Sequence, residues 1–450
     1  MTGPRCAVIG GGISGLVAAF RLQQHGHDVT VFEAAERVGG KIRTGAIAGI
    51  AVEEGADAFL PRDEAALDLC RDLGLGEELI SPALFGAYIW ARGRLRALPP
   101  GSLYGIPRSP AAARRAGLLS PWGAARASLE LVLGRTLRGP DVSVADLVRA
   151  RFGREVLQRM VDPMMAGIRG GRTDRMSLGA ATREIDALAR NHRTILGALR
   201  DQGPAQPPRF LAPSGGMQRL TDALAGNIAT IRTGVSVDRI GRDGPGFAVA
   251  GGEFDGVVVA APAFAAAGML ADLDDEIARL LHNISYASIA VVMLVYPPGA
   301  FEVPRGGSGV LVPAGAGLTI SACTWYSTKW PWVVDDDRIV VRCVVGRAGR
   351  DPGLHLDDPE LLTRVQRDLE VIHGPSSAPT DTHVTRWDRA IPQYEVGHLE
   401  LIDNIEAALA RSGAIVVTGA GYRGSGIPDC IAQANRAADR LGALVRTGGR

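Results

Sequence analysis

The chain has 450 residues, of which 46% are hydrophobic and 22% are charged, so we expect two to three globular domains. Its 49 basic and 48 acidic residues leave a net charge of +1, which excludes a general attraction to nucleic acid or to anionic membranes. The five cysteines are scattered and never spaced as C-x-x-C, which predicts a reducing cytoplasm and neither a disulfide framework nor a metal site. No stretch approaches the roughly 20 apolar residues that cross a bilayer, so no membrane span is expected.

The first forty residues predict a nucleotide-binding βαβ unit. Residues 6–9 form a short apolar run typical of a buried strand, and a helix is predicted over 16–24. Three glycines with the spacing G-x-G-x-x-G lie where the strand meets the helix: Gly10, Gly12 and Gly15. They permit a tight turn, close approach of the backbone to a pyrophosphate and close helix–strand packing. Glu33 follows the second strand, 29–32, where an acidic side chain can hold a ribose hydroxyl.

This signature leaves the cofactor open between NAD and FAD. The apolar run behind Arg5 also resembles the core of a signal peptide, but the spaced glycines, the missing small-x-small cleavage site and Glu33 oppose that interpretation. A second glycine turn with flanking cations follows at 37–41, Arg-Val-Gly-Gly-Lys. That turn favours the longer FAD, and a solvated surface turn is the alternative.

The pattern then changes from strand to helix. A helix is predicted near 64–73, and alternating apolar and polar residues over 86–98 predict a β-hairpin. Apolar residues at three- and four-residue spacing make the stretch from about 110 to 200 helical, with Ser143 as a helix N-cap. Within it, 114–135 mixes arginine, tryptophan and leucine, which fits either a membrane-surface helix or an ordinary core-facing helix.

The second half of the chain is rich in strand signals. Strands are predicted at 236–240, 247–250, 257–262, 289–296, 310–312, 318–323 and 339–345. A Pro/Gln-rich linker precedes them at 202–213, and a helix follows near 359–371. The chain closes with a strand at 414–418, a glycine turn and a helix at 429–445, which repeats the order of the opening unit. We therefore expect one nucleotide-binding domain assembled from both chain ends.

The resulting fold class is α/β. We expect a Rossmann-like FAD-binding domain from both chain ends, a mixed-sheet α+β substrate domain and a helical insert. The predicted boundaries are 1–85, 205–265 and 405–450 for the FAD-binding domain, 86–98 and 266–404 for the substrate domain, and 99–204 for the helical insert.

Several segments in order along nearly the whole chain resemble one family. The N-terminal glycines, residues 37–41 and Gly-Ala-Asp-Ala-Phe at 55–59 resemble the amine-oxidase-like flavoproteins. Narrower matches are Val-Asp-Pro-Met-Met-Ala-Gly-Ile at 161–168, segments within 322–331 and 391–398, and Gly-Ser-Gly-Ile-Pro-Asp-Cys at 424–430. Together they resemble the protoporphyrinogen and coproporphyrinogen oxidases, above all the bacterial soluble type that acts on coproporphyrinogen III.

The resemblance implies an FAD-dependent oxidase of heme biosynthesis. Such an enzyme removes six electrons from coproporphyrinogen III, passes them to dioxygen and releases coproporphyrin III and hydrogen peroxide. It also implies a transient contact with a ferrochelatase, and the membrane-surface helix leaves peripheral membrane contact open. The alternatives are a protoporphyrinogen IX oxidase, an amine oxidase, a carotenoid desaturase, or a non-catalytic escort protein of the same fold.

The resemblance also implies which residues hold FAD. The residues expected to bind the diphosphate are Gly10, Gly12, Ile13, Ser14 and Gly15. Glu33, with Ala34 beside it, is expected to bind the adenosine ribose. The residues expected to continue along the cofactor are Arg37, Gly39, Gly40 and Lys41. Near the flavin we expect Gly55, Ala56, Asp57, Ala58 and Trp387, near the adenine Val237, and at the far end of the flavin Ser425, Gly426 and Ile427.

The substrate carries four carboxylates, so its pocket should offer cations. The resemblance places a carboxylate-anchoring cation at Arg92, with Arg94 and Arg96 competing for that role, and Lys329 and Tyr394 are further candidates. His398 is either structural or catalytic, and Arg169 and Tyr326 depart from the family pattern. We assign no catalytic side chain, because a cofactor that accepts hydride leaves the protein mainly the task of positioning.

Overall fold

The computed structural model describes residues 3–61, 64–133, 139–203, 210–334, 336–349 and 353–448. The α-helices there are α1 (Ile13–Gln24), α2 (Ala65–Asp72), α3 (Pro110–Arg115), α4 (Pro121–Ser128), α5 (Val144–Phe152), α6 (Arg154–Val156), α7 (Asp162–Arg169), α8 (Leu178–Ala181), α9 (Arg183–Asn191), α10 (Ile195–Asp201), α11 (Gln218–Gly226), α12 (Ala263–Leu270), α13 (Asp275–His282), α14 (Tyr326–Lys329), α15 (Asp358–His373), α16 (His398–Arg411) and α17 (Ile427–Gly448). Single turns of 3₁₀-helix lie at Gly76–Glu78, Leu129–Leu131, Ala314–Ala316 and Pro331–Val333, and a π-helical turn lies at Leu157–Val161.

One parallel sheet joins the two ends of the chain. Its strands, in spatial order, are β19 (Ile415–Val417), β13 (Gly256–Val259), β1 (Arg5–Ile9), β2 (Asp28–Phe32) and β9 (Thr230–Arg232). Each pair of neighbours is parallel, and β13 is buried throughout, as expected for valine-rich strands covered on both faces. Helix α1 leaves β1 and lies against α17, where Arg21 Nε donates to Asn435 Oδ1 at 3.3 Å.

A second, mixed sheet has seven strands. In spatial order they are β18 (Asp381–Pro392), β14 (Tyr286–Tyr296), β17 (Ile339–Val345), β16 (Ile320–Trp325), β15 (Gly309–Leu311), β6 (Tyr88–Ala91) and β7 (Arg94–Ala97). All neighbours are antiparallel except β15 and β6, which are parallel. Side chains of β14, β16 and β17 share a hydrophobic core with α15. The predicted α/β fold class with an additional mixed sheet is confirmed.

The remaining strands that the structure describes form three small sheets. They are the hairpin β3 (Thr44–Ile47) with β4 (Ile50–Glu53), the pair β5 (Leu79–Ile80) with β8 (Ala212–Pro213), and the meander β10 (Ile240–Asp243), β11 (Gly246–Val249) and β12 (Gly252–Phe254).

The helices α3–α10 enclose a core of their own. At its centre the buried guanidinium of Arg151 pairs with the buried carboxylate of Glu130 at 3.1 Å. The same carboxylate accepts hydrogen bonds from the backbone N–H groups of Ile195 at 2.6 Å and Leu196 at 3.0 Å, so it also caps the first turn of α10. The predicted N-cap at Ser143 is confirmed, because its hydroxyl accepts from Asp146 N at 3.0 Å.

The structure corrects several predicted elements. Strand β10 begins at Ile240, so the strand expected over 236–240 is wrong by nearly its full length. Residues 129–133 contain one 3₁₀ turn where a longer helix was expected. No pattern in the sequence predicted β18, a 12-residue strand. Residues 204–209 of the expected linker lie outside the described residues.

All five cysteines are buried free thiols. Among the helices that the structure describes, none combines the length and the apolar character that a membrane span requires.

Candidate functional site

The first glycine turn is shaped as a cradle for an anion. Gly10 adopts φ 106°, and a methyl group on Gly15 would come within 1.8 Å of the Gly10 carbonyl oxygen, so the start of α1 packs directly on the turn. A methyl on Gly12, in contrast, would meet no atom within 4 Å. No side chain caps the N-terminus of α1, so its first N–H groups stay available beside this open space. The turn therefore fits a diphosphate, with Ile13 and Ser14 as the first helical residues.

The second glycine turn lies directly against the first. Gly39 N donates to the Gly11 carbonyl oxygen at 2.8 Å, and Gly40 follows with φ 56°. Arg37 clamps this turn, because its guanidinium donates to the carbonyl oxygens of Val38, Gly40 and Ile42 at 2.9, 2.8 and 3.2 Å.

Glu33 lies at the end of β2, where the ribose residue was expected. Its carboxylate accepts from Gly11 N at 2.6 Å and from Ala35 N at 2.8 Å, so it is fixed beside the first turn. Ala34 is exposed next to it. Val237, the expected adenine neighbour, is buried in the core that also contains Phe32.

Lys41, expected along the cofactor, lies together with Gly55 and Trp387, expected near the flavin, beside strand β18. Lys41 Nζ donates to the Ala390 carbonyl oxygen at 2.5 Å, and Trp387 Nε1 donates to the Glu54 carbonyl oxygen at 2.7 Å. A methyl on Gly55 would lie 1.8 Å from the Lys41 carbonyl oxygen and 3.8 Å from the Trp387 ring. The side chain of Lys41 is exposed to solvent. Desolvation by the surrounding protein nevertheless lowers the pKa of its ammonium group.

The loop after β4 is held by two cations. Arg342 donates to the carbonyl oxygens of Gly55 at 2.6 Å and Glu53 at 3.1 Å. Lys329 pairs with the Asp57 carboxylate at 2.5 Å. Burial acts to raise the pKa of Asp57, but the charges of Lys329 and Arg342 outweigh it and hold that pKa below its usual range. Ala56 and Ala58 are half-buried beside the pair.

Arg342 is a site residue that the sequence interpretation missed. Its signal was present, because it is the one charged residue in the otherwise apolar strand β17, Ile-Val-Val-Arg-Cys-Val-Val. A cation in such a strand needs a specific partner, and here the partners are carbonyl groups of the candidate flavin loop.

The C-terminal glycine turn completes the cradle. A methyl on Gly419 would lie 3.9 Å from Ser14 Oγ, so this turn and the N-terminal turn face each other. Ser425 and Gly426 are half-buried just ahead of α17, which begins at Ile427. The Asp429 carboxylate accepts from Gly426 N at 3.3 Å and orients the helix start.

Tyr394 holds the C-terminal glycine turn through hydrogen bonds of its hydroxyl group. Its hydroxyl donates to the Ala420 carbonyl oxygen at 2.6 Å and accepts from Gly424 N at 3.0 Å, and burial raises its pKa above the usual range. His398 stacks on its ring with centroids 4.2 Å apart and bonds through Nε2 to the Tyr422 carbonyl oxygen at 2.7 Å. Of the two alternatives for His398, these contacts match the structural one.

The three candidate substrate residues lie in different places. Arg92 is exposed at the turn between β6 and β7, with φ 55°. Lys329 lies beside Asp57, and Tyr394 lies under the C-terminal turn. Of the competing cations, Arg94 is exposed, while Arg96 is half-buried with its Nε unpaired.

Comparison with known proteins adds independent information. Residues 13–442 match the family model described as flavin containing amine oxidoreductase. A coproporphyrinogen III oxidase of Bacillus subtilis is 33% identical, with 96% of each chain covered, and one of Mycobacterium bovis is 35% identical, with 97% of each covered. A crystal structure from Exiguobacterium sp. 255-15, described as a protoporphyrinogen oxidase, superposes with a TM-score of 0.88 at 29% identity and covers 98% of this chain and 99% of its own.

Proposed function

Because the chain belongs to the flavin containing amine oxidoreductase family, we propose that it is an FAD-dependent oxidase that converts coproporphyrinogen III to coproporphyrin III. The proposed substrate class rests on the 33–35% identity to coproporphyrinogen III oxidases over nearly the full length of both chains. Family membership confirms the flavin predicted from the two glycine turns.

The residues of the glycine turns and of the loop after β4 fit this cofactor. We assign the diphosphate of FAD to Gly10, Gly12, Ile13, Ser14 and Gly15, the adenosine ribose to Glu33 and Ala34, and the adenine to Val237. The residues that we expect to continue along the cofactor are Arg37, Gly39, Gly40 and Lys41. The flavin is assigned to Gly55, Ala56, Asp57, Ala58, Trp387, Ser425, Gly426 and Ile427. The support is the open space at Gly12, the uncapped start of α1 and the exposed side chain of Lys41. FAD held by these residues would supply a hydride acceptor for the substrate and a route for the electrons to dioxygen, with hydrogen peroxide as the product.

The protein's own contribution is positioning. Arg342 and Trp387 tie the loop after β4 to the mixed sheet, and Lys41 ties the second glycine turn to β18, so neither segment can shift without breaking these hydrogen bonds. We propose that Arg92 anchors a substrate carboxylate, with Lys329 and Tyr394 as further members of the site. Positioning of this kind supplies a large share of the rate in hydride transfer.

The test is a side-by-side turnover of coproporphyrinogen III and protoporphyrinogen IX by the purified protein. We expect porphyrin fluorescence and hydrogen peroxide to rise faster with coproporphyrinogen III. Faster turnover of protoporphyrinogen IX would favour the second candidate, which the similarity to the Exiguobacterium structure supports. A purified protein without flavin absorbance would overturn both and favour a non-catalytic member of the fold.

We also propose a peripheral contact between the helical segment and an anionic membrane surface. Trp122 is 85% exposed, and Leu129, Val132 and Leu133 are exposed on the same stretch. Arg114 and Arg115 are exposed nearby, while Glu130, the one acidic residue between 110 and 133, is buried. An apolar cluster with cations beside it suits the boundary between lipid head groups and acyl chains.

We place the enzyme in the cytoplasm, on the ground of its scattered, buried thiols. Its product carries four carboxylates and is the substrate type of a metal-inserting enzyme, so a transient contact with a ferrochelatase is part of this proposal.

A further inference from the structure

Arg169, the last residue of α7, connects three parts of the chain at the candidate flavin site. Its guanidinium donates to Ser425 Oγ at 2.5 Å and to the Ala181 carbonyl oxygen at 3.0 Å. It also lies over the Tyr394 ring, 5.8 Å from the ring centroid. The helical segment therefore places a fixed positive charge against the turn that starts α17.

This charge has only neutral partners. Among the described residues, no carboxylate oxygen lies within 4 Å of the Arg169 guanidinium, and its Nε is buried with no hydrogen-bond partner. Asp429, in the first turn of α17, accepts from Gly426 N. Burial keeps the Tyr394 hydroxyl protonated by raising its pKa. A half-buried cation without a counter-charge costs stability, so a negative charge that arrives nearby is favoured.

The contact with Ser425 also fixes what that hydroxyl can do. Because Ser425 Oγ accepts a hydrogen bond from Arg169, its own O–H remains free to donate elsewhere. Ser425 is half-buried, so this donor is available to a group beside the turn.

We infer that Arg169 is a positioning residue that raises the electron affinity of the bound flavin, partly by directing the Ser425 hydroxyl. The inference rests on the proposed function. Hydride transfer would move two electrons and one proton from the substrate to the neutral flavin ring, and the substrate would release one N–H proton to solvent. The ring therefore gains one negative charge, which a guanidinium in a low-dielectric site stabilises.

The experiment compares flavin-loaded wild type with Arg169→Gln, Arg169→Lys and Ser425→Ala. Gln can still donate to Ser425 but carries no charge, whereas Lys keeps the charge. Arg172→Gln is the matched control, because Arg172 is exposed and already paired with Asp174 at 2.6 Å. The readouts are the midpoint potential of the flavin and its affinity for sulfite, whose adduct also places a negative charge on the ring.

For Arg169→Gln we expect the affinity for sulfite to be at least tenfold weaker than in wild type. At a fixed potential the ratio of reduced to oxidised flavin should be tenfold smaller, which corresponds to a midpoint potential lower by about 30 mV for a two-electron couple. Arg169→Lys and Arg172→Gln should stay within threefold of wild type, and Ser425→Ala should weaken sulfite binding at least threefold.

A potential and sulfite affinity within twofold of wild type in Arg169→Gln would overturn the inference and leave the proposed function intact. If Arg169→Gln does not retain flavin, Ser425→Ala decides, and an unchanged sulfite affinity in that variant overturns the inference. Wild-type protein that binds no flavin would instead remove the proposed function itself.

Discussion

Two glycines of one motif have opposite surroundings, although the sequence presents them alike. At Gly15 the neighbouring backbone fills the place of a side chain, whereas the space beside Gly12 is open. Gly12 also has an ordinary φ of −74°, so alanine fits its backbone without strain. Gly15 therefore permits close packing of the helix on the turn, whereas Gly12 leaves space for the diphosphate.

We therefore expect Gly12→Ala to fold normally and to lose flavin. Its methyl occupies the proposed diphosphate space, so the flavin dissociation constant should rise at least about tenfold, while the flavin-free protein unfolds within about 1 kcal/mol of wild type. Flavin absorbance per protein and thermal unfolding of the stripped protein measure the two effects. Gly268→Ala, also in open space but within α12, is the control and should keep its flavin. Full flavin retention in Gly12→Ala would contradict the cradle.

Arg92 is the residue on which substrate anchoring can be tested. Replacing it with alanine removes one charged hydrogen bond to a carboxylate, which should cost about 1–2 kcal/mol and raise KM roughly 5- to 30-fold, with flavin content unchanged. Steady-state kinetics with coproporphyrinogen III provide the measurement. An unchanged KM would rule Arg92 out and turn attention to Arg94 and Arg96 on the same hairpin.

At the scale of elements, strand β4 ends in a carboxyl group with an unusual titration. Burial raises the pKa of Glu53 from its ordinary 4.5 to about 7, against the lowering effect of hydrogen bonds from Met217 N at 2.7 Å and Thr44 Oγ1 at 3.0 Å. A raised pKa means that the folded state holds the proton more tightly than the unfolded state. The stabilisation by this proton is complete below pH 4.5 and is lost as the pH rises through about 7.

Glu53→Gln should remove this pH dependence. Between pH 4.5 and 7 the free energy of unfolding of wild type should fall by about 3 kcal/mol relative to the variant, because a tenfold difference in proton affinity between the folded and unfolded states corresponds to about 1.4 kcal/mol. Urea unfolding across that range gives the difference. Glu253→Gln, an exposed glutamate on β12, should follow the wild-type curve, and parallel curves for wild type and Glu53→Gln would contradict the expectation.

The exposed face of α4 and the turn after it gives the second prediction at this scale. Trp122→Ser should weaken binding to phosphatidylglycerol vesicles roughly tenfold, since burial of a large apolar side chain is worth about 1.5–3 kcal/mol. Vesicle co-sedimentation and the blue shift of tryptophan fluorescence report the binding. Trp332→Ser, which changes a 44% exposed tryptophan elsewhere, is the control. Wild-type protein that stays in the supernatant, or that instead forms dimers through this face, would refute the membrane contact.

At the scale of the whole molecule, the candidate site exists only because distant segments meet. The parallel sheet joins β1 near the N-terminus to β19 near the C-terminus through β13. The mixed sheet then reaches the same place through Trp387 on β18 and Arg342 on β17. Strands β17 and β18 of the mixed sheet thus hold the loop at 53–57. The predicted domain boundaries remain a prediction, because these contacts do not divide the chain at particular residues.

Many features of the fold and of the candidate site could be predicted from short-range patterns in the sequence. The glycine turns, the Ser143 cap and the apolar strands β1, β13, β14 and β17 are local features, because a positive φ, a side-chain cap and burial on both faces each select residue types directly. Strand β18 has no such pattern, because it lies at the edge of its sheet and its burial does not alternate. Its strand conformation depends on pairing with β14.

By itself, the sequence determined the cofactor class, the α/β fold and the position of the glycine turns, since these depend on neighbours within a few residues. Only the tertiary structure decided the partners of the charges. Lys329, expected at the substrate, faces Asp57, and Arg169, noted only as a departure from the family pattern, donates to Ser425. Such pairs span more than 250 positions of the chain, and Coulomb and hydrogen-bond energies depend on distance in space, which no local pattern encodes.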